Sequence, residues 1–445
     1  MTPADPVGAA AGAWLKSGTW GRALPPGWAW TTLGQVADNL DSQRVPVNRT
    51  QRARRIGSVP YFGATGQVGW IDKPLFDEEL CLVGEDGAPF LDRHKTKAYL
   101  IAGPSWVNNH AHVLRAIGGL TTNRFLKHTL DTVNYSQYVN GTTRLKLTKG
   151  SLNQIAIPLP PLNEQRRIVA AIEEHLSRLE AADASLAAAE RRVDVLRELA
   201  TAEAMRGDWP TVALGEIAEI AGGVTKDAKR QSDPEFIEVP YLRVANVQRG
   251  FLDLREVTTI RVPPEKAAAL TLRPGDVLFN EGGDRDKLGR GWVWSGEIEG
   301  CIHQNHVFRA RLNQDFEPKF VSWHGNTFGR QWFEAHGRQT TNLASLNLTT
   351  LKSFPVPAAP LDEQRRIVAR VEEQLSAVDA LRAAIERAQR RSASLRRSVL
   401  ERAFRGDLVP QDPSDEPVET LLARIRAERA ASPAPRRRTT SREAS

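Results

Sequence analysis

The sequence predicts an α+β protein in two similar halves. Two strand-rich globular domains are separated by two long helices that pair as an antiparallel coiled coil, giving a pseudo-two-fold molecule. Three observations predict this. A block of 58 residues occurs twice without a gap, at 152–209 and 351–408. Its sharpest stretch is Pro161-Leu-Asn-Glu-Gln-Arg-Arg-Ile-Val-Ala against Pro360-Leu-Asp-Glu-Gln-Arg-Arg-Ile-Val-Ala, and the copies close on Arg206-Gly-Asp and Arg405-Gly-Asp. The stretches between repeat more loosely: Leu33-Gly-Gln-Val-Ala returns as Leu214-Gly-Glu-Ile-Ala, Val59-Pro-Tyr as Val239-Pro-Tyr, and His112-Val-Leu-Arg-Ala as His306-Val-Phe-Arg-Ala. Inside the block, apolar residues keep the three-four spacing of a helix face.

In chain order, an N-terminal arm (1–25) precedes the first globular domain (26–157). That domain and its counterpart (210–356) carry Gly, Pro, aromatics and short β-branched runs, the pattern of strands and turns. The first long helix occupies 158–209, with Asn163 as N-cap and Glu164 in the first turn. Val169, Ile172, Leu176, Leu179 and Leu186 form its apolar seam. The second (357–408) answers with Asp362 as cap and Val368, Val371, Leu375, Val378 and Ile385 as seam. Each helix runs about 42 residues, roughly 60 Å, which favours a coiled coil over a surface helix packed on its own domain. The tail (409–445) is rich in Pro, Asp and Arg, with a short amphipathic helix near 419–429 before a disordered end.

At 445 residues the chain holds more than one domain. Its net charge of +7 leans towards a polyanionic partner. Of 60 basic residues, 47 are Arg, an excess that GC-rich codon usage also explains. No apolar run is long enough to span a bilayer and the start has no secretory pattern, so the expected place is the cytoplasm. Cys81 and Cys301 make neither a metal cluster nor a disulfide framework. A phosphate loop, a dinucleotide fingerprint and an amino-methyltransferase motif are all absent from the sequence. His303-Gln-Asn-His306 reads better as a strand than as a metal pair. The acidic loops Glu85-Asp86 and Glu281-Gly-Gly-Asp284 could in principle hold an ion. The expectation is a chain with no catalytic residues and no metal site.

Binding residues are expected in polar, glycine-containing loops. In the second domain these are Asn280, Arg285, Lys287 and Arg290, with Arg243 and Asn246 nearby. Gly84-Glu-Asp-Gly-Ala88 is the counterpart in the first domain and lacks the cations. A second pair of loops precedes each long helix: Thr142, Thr143, Arg144 and Lys146 in one, Thr340, Thr341 and Asn342 in the other. Arg and Lys suit phosphate and guanine, Asn suits adenine, and Thr suits either. Each of these loops also reads as an ordinary turn.

The order of domain, long helix, domain, long helix resembles the specificity subunits (HsdS) of type I restriction-modification systems. The residues that carry the resemblance are Ile157-Pro-Leu-Pro-Pro-Leu-Asn-Glu-Gln-Arg-Arg-Ile-Val, its partner from Phe354, Gly275-Asp-Val-Leu-Phe-Asn-Glu-Gly, and Ala403-Phe-Arg-Gly-Asp-Leu-Val-Pro. The resemblance implies two target-recognition domains, each reading half of a split double-stranded DNA sequence, with the helices fixing the gap. It implies two methyltransferase subunits as partners, and restriction subunits in the cleaving complex. This chain would carry no cofactor; S-adenosylmethionine, ATP and Mg would sit on those partners. The tail would return near the N-terminus. Two readings of other classes stay open: a self-contained DNA methyltransferase or nuclease, and a coiled-coil scaffold for proteins.

Overall fold

The computed structural model describes residues 23–92, 95–227, 231–283, 288–339 and 344–431. These form two compact units: one draws on Met1–Ser185 and Ala388–Ser445, the other is Leu186–Arg387. The division falls in the middle of each long helix rather than at its ends, because each unit includes part of both helices.

In the first unit the strand Leu80–Gly84 is buried along its whole length. Alternate side chains of such a strand serve two faces. Cys81 and Val83 join the core under the helix Asn123–Thr132, with Phe125, Leu126 and Leu130. Leu80 and Leu82 face the other way, towards Phe76, Val107 and Val113. The strand lies within a four-stranded antiparallel sheet ordered Ala37–Asn39, Ala111–Ala116, Leu80–Gly84, Ala98–Ile101. A second sheet is ordered Gly66–Ile71, Val59–Gly63, Pro104–Val107, Phe76–Asp77, with its central pair parallel. The helix over the first sheet starts at Thr122, whose hydroxyl accepts from the Phe125 amide at 3.1 Å.

The second unit repeats this plan. Its four-stranded sheet is ordered Ala218–Ala221, Val307–Leu312, Val277–Asn280, Gly291–Val293. Its other sheet is ordered Thr258–Val262, Ile237–Leu242, Ile302–His303, again with one parallel pair. The registers correct one part of the repeat read from sequence. Gly84 pairs with Ala111 and Asn280 with Val307, and the amides of Glu85 and Glu281 donate to the carbonyls of His110 and His306. His306 therefore corresponds to His110, two residues from the His112 that the sequence match selects. A two-residue slip keeps every side chain on the same face, so an apolar pattern cannot detect it.

The long helices span Leu162–Ala204 and Leu361–Arg405, 43 and 45 residues. Asn163 and Asp362 lie inside the first turn rather than capping it. Pro161 and Pro360 open the turns instead, accepting from the amides of Gln165 and Gln364 at 2.9 and 3.0 Å. The apolar seam also does more than pair helices. Val169 and Ile172 belong to the first unit's core, alongside Ala403 and Phe404 from the end of the second helix. Leu176 packs at the margin of that core, and Leu179 is half-buried. In the second unit Val368, Val371 and Leu375 meet Ala204 and Met205 in one core. Val378 is buried there, and Leu186 and Ile385 are half-buried. Ion pairs mark the antiparallel run: Arg396 with Asp183 at 3.3 Å in the first unit, and Arg197 with Asp379 and Arg382 with Asp194 in the second. The C-terminal helix Val418–Ala431 closes on the first unit through Val418, Leu421 and Leu422, and the Val418 amide donates to Gly27 at 3.0 Å.

Buried histidines make both units acid-sensitive. Burial pushes His303 and His324 of the second unit down to about 4, and His128 of the first to about 3. Unfolded histidine titrates near pH 6.5. Below that pH the unfolded chain takes up protons that the folded chain refuses, so stability falls as pH drops from about 6.5 towards 4. The urea midpoint should be lower at pH 5 than at pH 7.5, and His324→Gln should flatten that dependence in the second unit. An equal dependence in the variant would remove His324 from the explanation.

Candidate nucleic-acid interface

Each unit brings together the two loops singled out in its sequence. In the first, Asp86 bridges to Lys146, and the Leu147 amide donates to the Glu85 carbonyl at 2.8 Å. In the second, Gly282–Gly283 pairs with Ala344–Ser345, which also pairs with Arg338–Gln339, and the Leu346 amide donates to the Glu281 carbonyl at 2.7 Å. One connection is therefore built twice: the loop after the central sheet strand meets the loop that leads to the long helix.

The side chains on this shared frame differ. In the first unit Thr142, Thr143, Arg144 and Lys146 are exposed. Their loop turns at Gly141, where φ is +105° and a Cβ would stand 2.6 Å from the Arg144 carbonyl oxygen, so only glycine fits. Arg144 reaches Asp86 at 3.0 Å and Lys146 reaches Glu85 at 3.2 Å. In the second unit Glu281 instead holds His306 Nδ1 at 2.6 Å. Arg285, Lys287, Thr340, Thr341 and Asn342 lie outside the described residues.

Two of the expected contact residues are buried, with their side chains bonded to backbone groups. Asn280 is fully buried and its amide donates to the carbonyls of Val247 and Val244, at 2.9 and 3.3 Å. Asn246 is buried, accepting from the Arg243 amide and donating to Asp253 and Glu256, each at 2.9 Å. An Asn that closes a turn and an Asn that reads a base look alike in sequence, because both occur beside glycine-rich loops. Arg243 and Arg290 are half-buried beside them, and Arg290 Nη2 donates to the Val244 carbonyl at 3.3 Å.

A network missed in the sequence stiffens the first loop pair. Asp41, Glu85 and His112 place ligand-type atoms within 4.8 Å of one another. They do not suit a cation. Arg44 contacts Glu85 at 2.9 Å and Asp41 at 3.4 Å, and the two ring nitrogens of His112 face Asp41 Oδ2 and the Leu147 carbonyl at 2.6 and 2.8 Å. Burial alone would raise the Asp41 carboxyl; the His112 hydrogen bond and charge, the Val113 amide and Asn39 together hold it below its usual range. Its acid contribution is therefore present above the unfolded carboxylate range and lost as pH falls below it.

The strongest part of the repeat has its own geometry. Gln165 is fully buried; its Nε2 donates to the carbonyls of Leu120 and Pro160 at 3.0 and 2.9 Å, and its Oε1 accepts from the Thr121 hydroxyl at 2.8 Å. Gln364 does the same, donating to Asp315 and Ala359 at 3.0 and 2.7 Å and accepting from the Glu317 amide at 2.8 Å. Each glutamine ties the start of its helix to the loop before the helix Asn123–Thr132 or Pro318–Thr327.

Fold and site thus define a duplicated two-sheet module with one loop junction per copy and a long helix locked to each. The sequence matches the type I restriction modification DNA specificity domain at 25–188 and 206–392, and the chain belongs to that family. It is 36% identical over 140 residues to a Haemophilus influenzae type I restriction enzyme specificity subunit, a match that spans 32% of this chain and 35% of that protein. With the EcoKI specificity subunit of Escherichia coli (strain K12) it shares 24% identity over 334 residues, 69% of this chain and 71% of the other. An HsdS subunit from Thermoanaerobacter tengcongensis has the same fold, with a TM-score of 0.55 at 22% identity over 87% of this chain and 98% of that one. A chain from a type I restriction-modification complex scores 0.66 at 21% identity, over 87% of this chain and all of the other. Among the described residues no helix is long and apolar enough to cross a membrane.

Proposed function

We propose that this chain is the cytoplasmic, non-catalytic specificity subunit of a type I restriction-modification complex. Each loop junction reads one half of a bipartite double-stranded DNA target, while the long helices fix the gap and dock two methyltransferase subunits. Restriction subunits join for cleavage, and S-adenosylmethionine, ATP and Mg bind on those partners. The observation that carries the reading is the junction itself: the backbone connection is the same twice, and the residues it carries differ in the sequence. A constant frame with variable loops suits two different half-sites. Docking is supported by Val195, Leu196 and Leu199, which stay exposed on the first long helix. An apolar strip of that kind on a soluble chain marks a protein interface.

The test is methylome sequencing of a host carrying this gene with its methyltransferase partner. Arg144→Ala with Lys146→Ala should relax recognition in one half-site and leave the other intact; changes in both, or in neither, sink the assignment. Deleting four residues from each long helix should shorten the gap by about 6 Å, roughly two base pairs. An unchanged gap would refute the ruler role.

A further inference from the structure

Between Arg44 and Ser58 the chain carries five arginines and no acidic residue. Two are spent locally. Arg44 serves Asp41 and Glu85, and Arg55 holds Asp72 at 2.5 Å with its guanidinium 4.3 Å from the Trp106 ring centroid. Arg49, Arg52 and Arg54 have no ion pair among the described residues. They are nonetheless held in place. The turn Arg49–Ala53 is fixed by a reciprocal cap, with the Gln51 amide donating to Asn48 at 2.8 Å and the Asn48 amide to Gln51 at 3.2 Å. Arg52 lies 4.7 Å from the Tyr61 ring centroid and against Gly69. Gly57 then runs so close to the neighbouring strand that a Cβ would stand 2.4 Å from Asp72 Cα.

The strand they border, Gly66–Ile71, is the edge of its sheet. Val68 and Trp70 on it are 48% and 55% exposed. A free edge with an apolar face invites association unless something covers it. Here the surroundings select the occupant, because three positioned and unneutralised guanidiniums complement a polyanion better than a protein surface of mixed charge. The equivalent of Trp70 in the second unit, opposite Pro240 as Trp70 is opposite Pro60, is Thr259, whose hydroxyl is taken by Glu238. The basic and aromatic face is therefore absent at that place.

We infer that Arg49, Arg52, Arg54 and Trp70 form a second contact with duplex DNA in the first unit, separate from the loop junction. The guanidiniums take phosphates, and Trp70 packs on the sugars and base edges between them. The inference rests on the DNA-binding reading above.

The test measures binding of the full chain to a random-sequence 30-base-pair duplex by anisotropy at several salt concentrations. Arg49→Gln with Arg54→Gln removes two exposed, unpaired cations. It should weaken binding roughly ten-fold and reduce the slope of log affinity against log salt by about 2. Trp70→Ala should weaken binding several-fold with the slope unchanged. Wild-type affinity and slope in the arginine variant would overturn the site while leaving the DNA-binding reading intact. A wild-type chain with no salt-dependent DNA binding would instead sink that reading. Arginine variants that bind DNA normally but no longer co-purify with a methyltransferase partner would show the face to be a protein interface, which also overturns the proposal.

Discussion

Phe404→Ala should cost the first unit about 3–5 kcal/mol, the usual loss for emptying a buried phenylalanine site. The ring is 1% exposed and sits edge-on to Phe125, 5.6 Å between centroids. It belongs to the last turns of the second long helix, yet its neighbours are the sheet and helix of the first globular domain. The cavity would therefore loosen a helix end from a domain that lies far from it in sequence. Since a two-unit chain need not unfold in one step, the check is local. Hydrogen exchange should lose protection in the first unit and keep it in the core around Val277, Phe279 and Phe320. Uniform loss across both units would contradict a separate first core.

Gln165→Met should destabilise the first unit by about 2–4 kcal/mol. The substitution keeps most of the volume but strands two buried carbonyls and the Thr121 hydroxyl, and an unmet buried group costs about 1–3 kcal/mol. The groups share one network, so Thr121→Val added to Gln165→Met should cost less than the sum of the single changes. Full additivity in a double-mutant cycle would show that the glutamine and the hydroxyl are not coupled. Gln364→Met should act in the same way on the second unit, where the third partner is the Glu317 amide and no side-chain cycle is available.

These two positions show where the repeat carries its information. In sequence, Glu-Gln-Arg-Arg-Ile-Val looks like the start of an amphipathic helix, and the glutamine stands out no more than its charged neighbours. In the fold it is the residue that welds helix to domain, because only its amide can donate to two carbonyls and accept a third bond inside a dry site. The position of Phe404 is similar. Its counterpart in the first copy is Met205, and each closes the core of the unit in which the other long helix begins.

Residue pattern alone determined the architecture: two mixed domains, two helices of the right length, the family, and the four loops that meet as two junctions. Periodicity and duplication are local properties of the chain, so they survive in one dimension. Tertiary structure alone decided what individual polar residues do. Asn280 and Asn246 turned inward to bond backbone groups, Arg44 was consumed by a carboxylate network, and Arg49, Arg52 and Arg54 were left without an ion pair among the described residues. Whether a side chain is spent or available depends on neighbours tens of residues away in sequence. Burial makes an unpaired polar group costly, so the fold, and not the motif, assigns those partners.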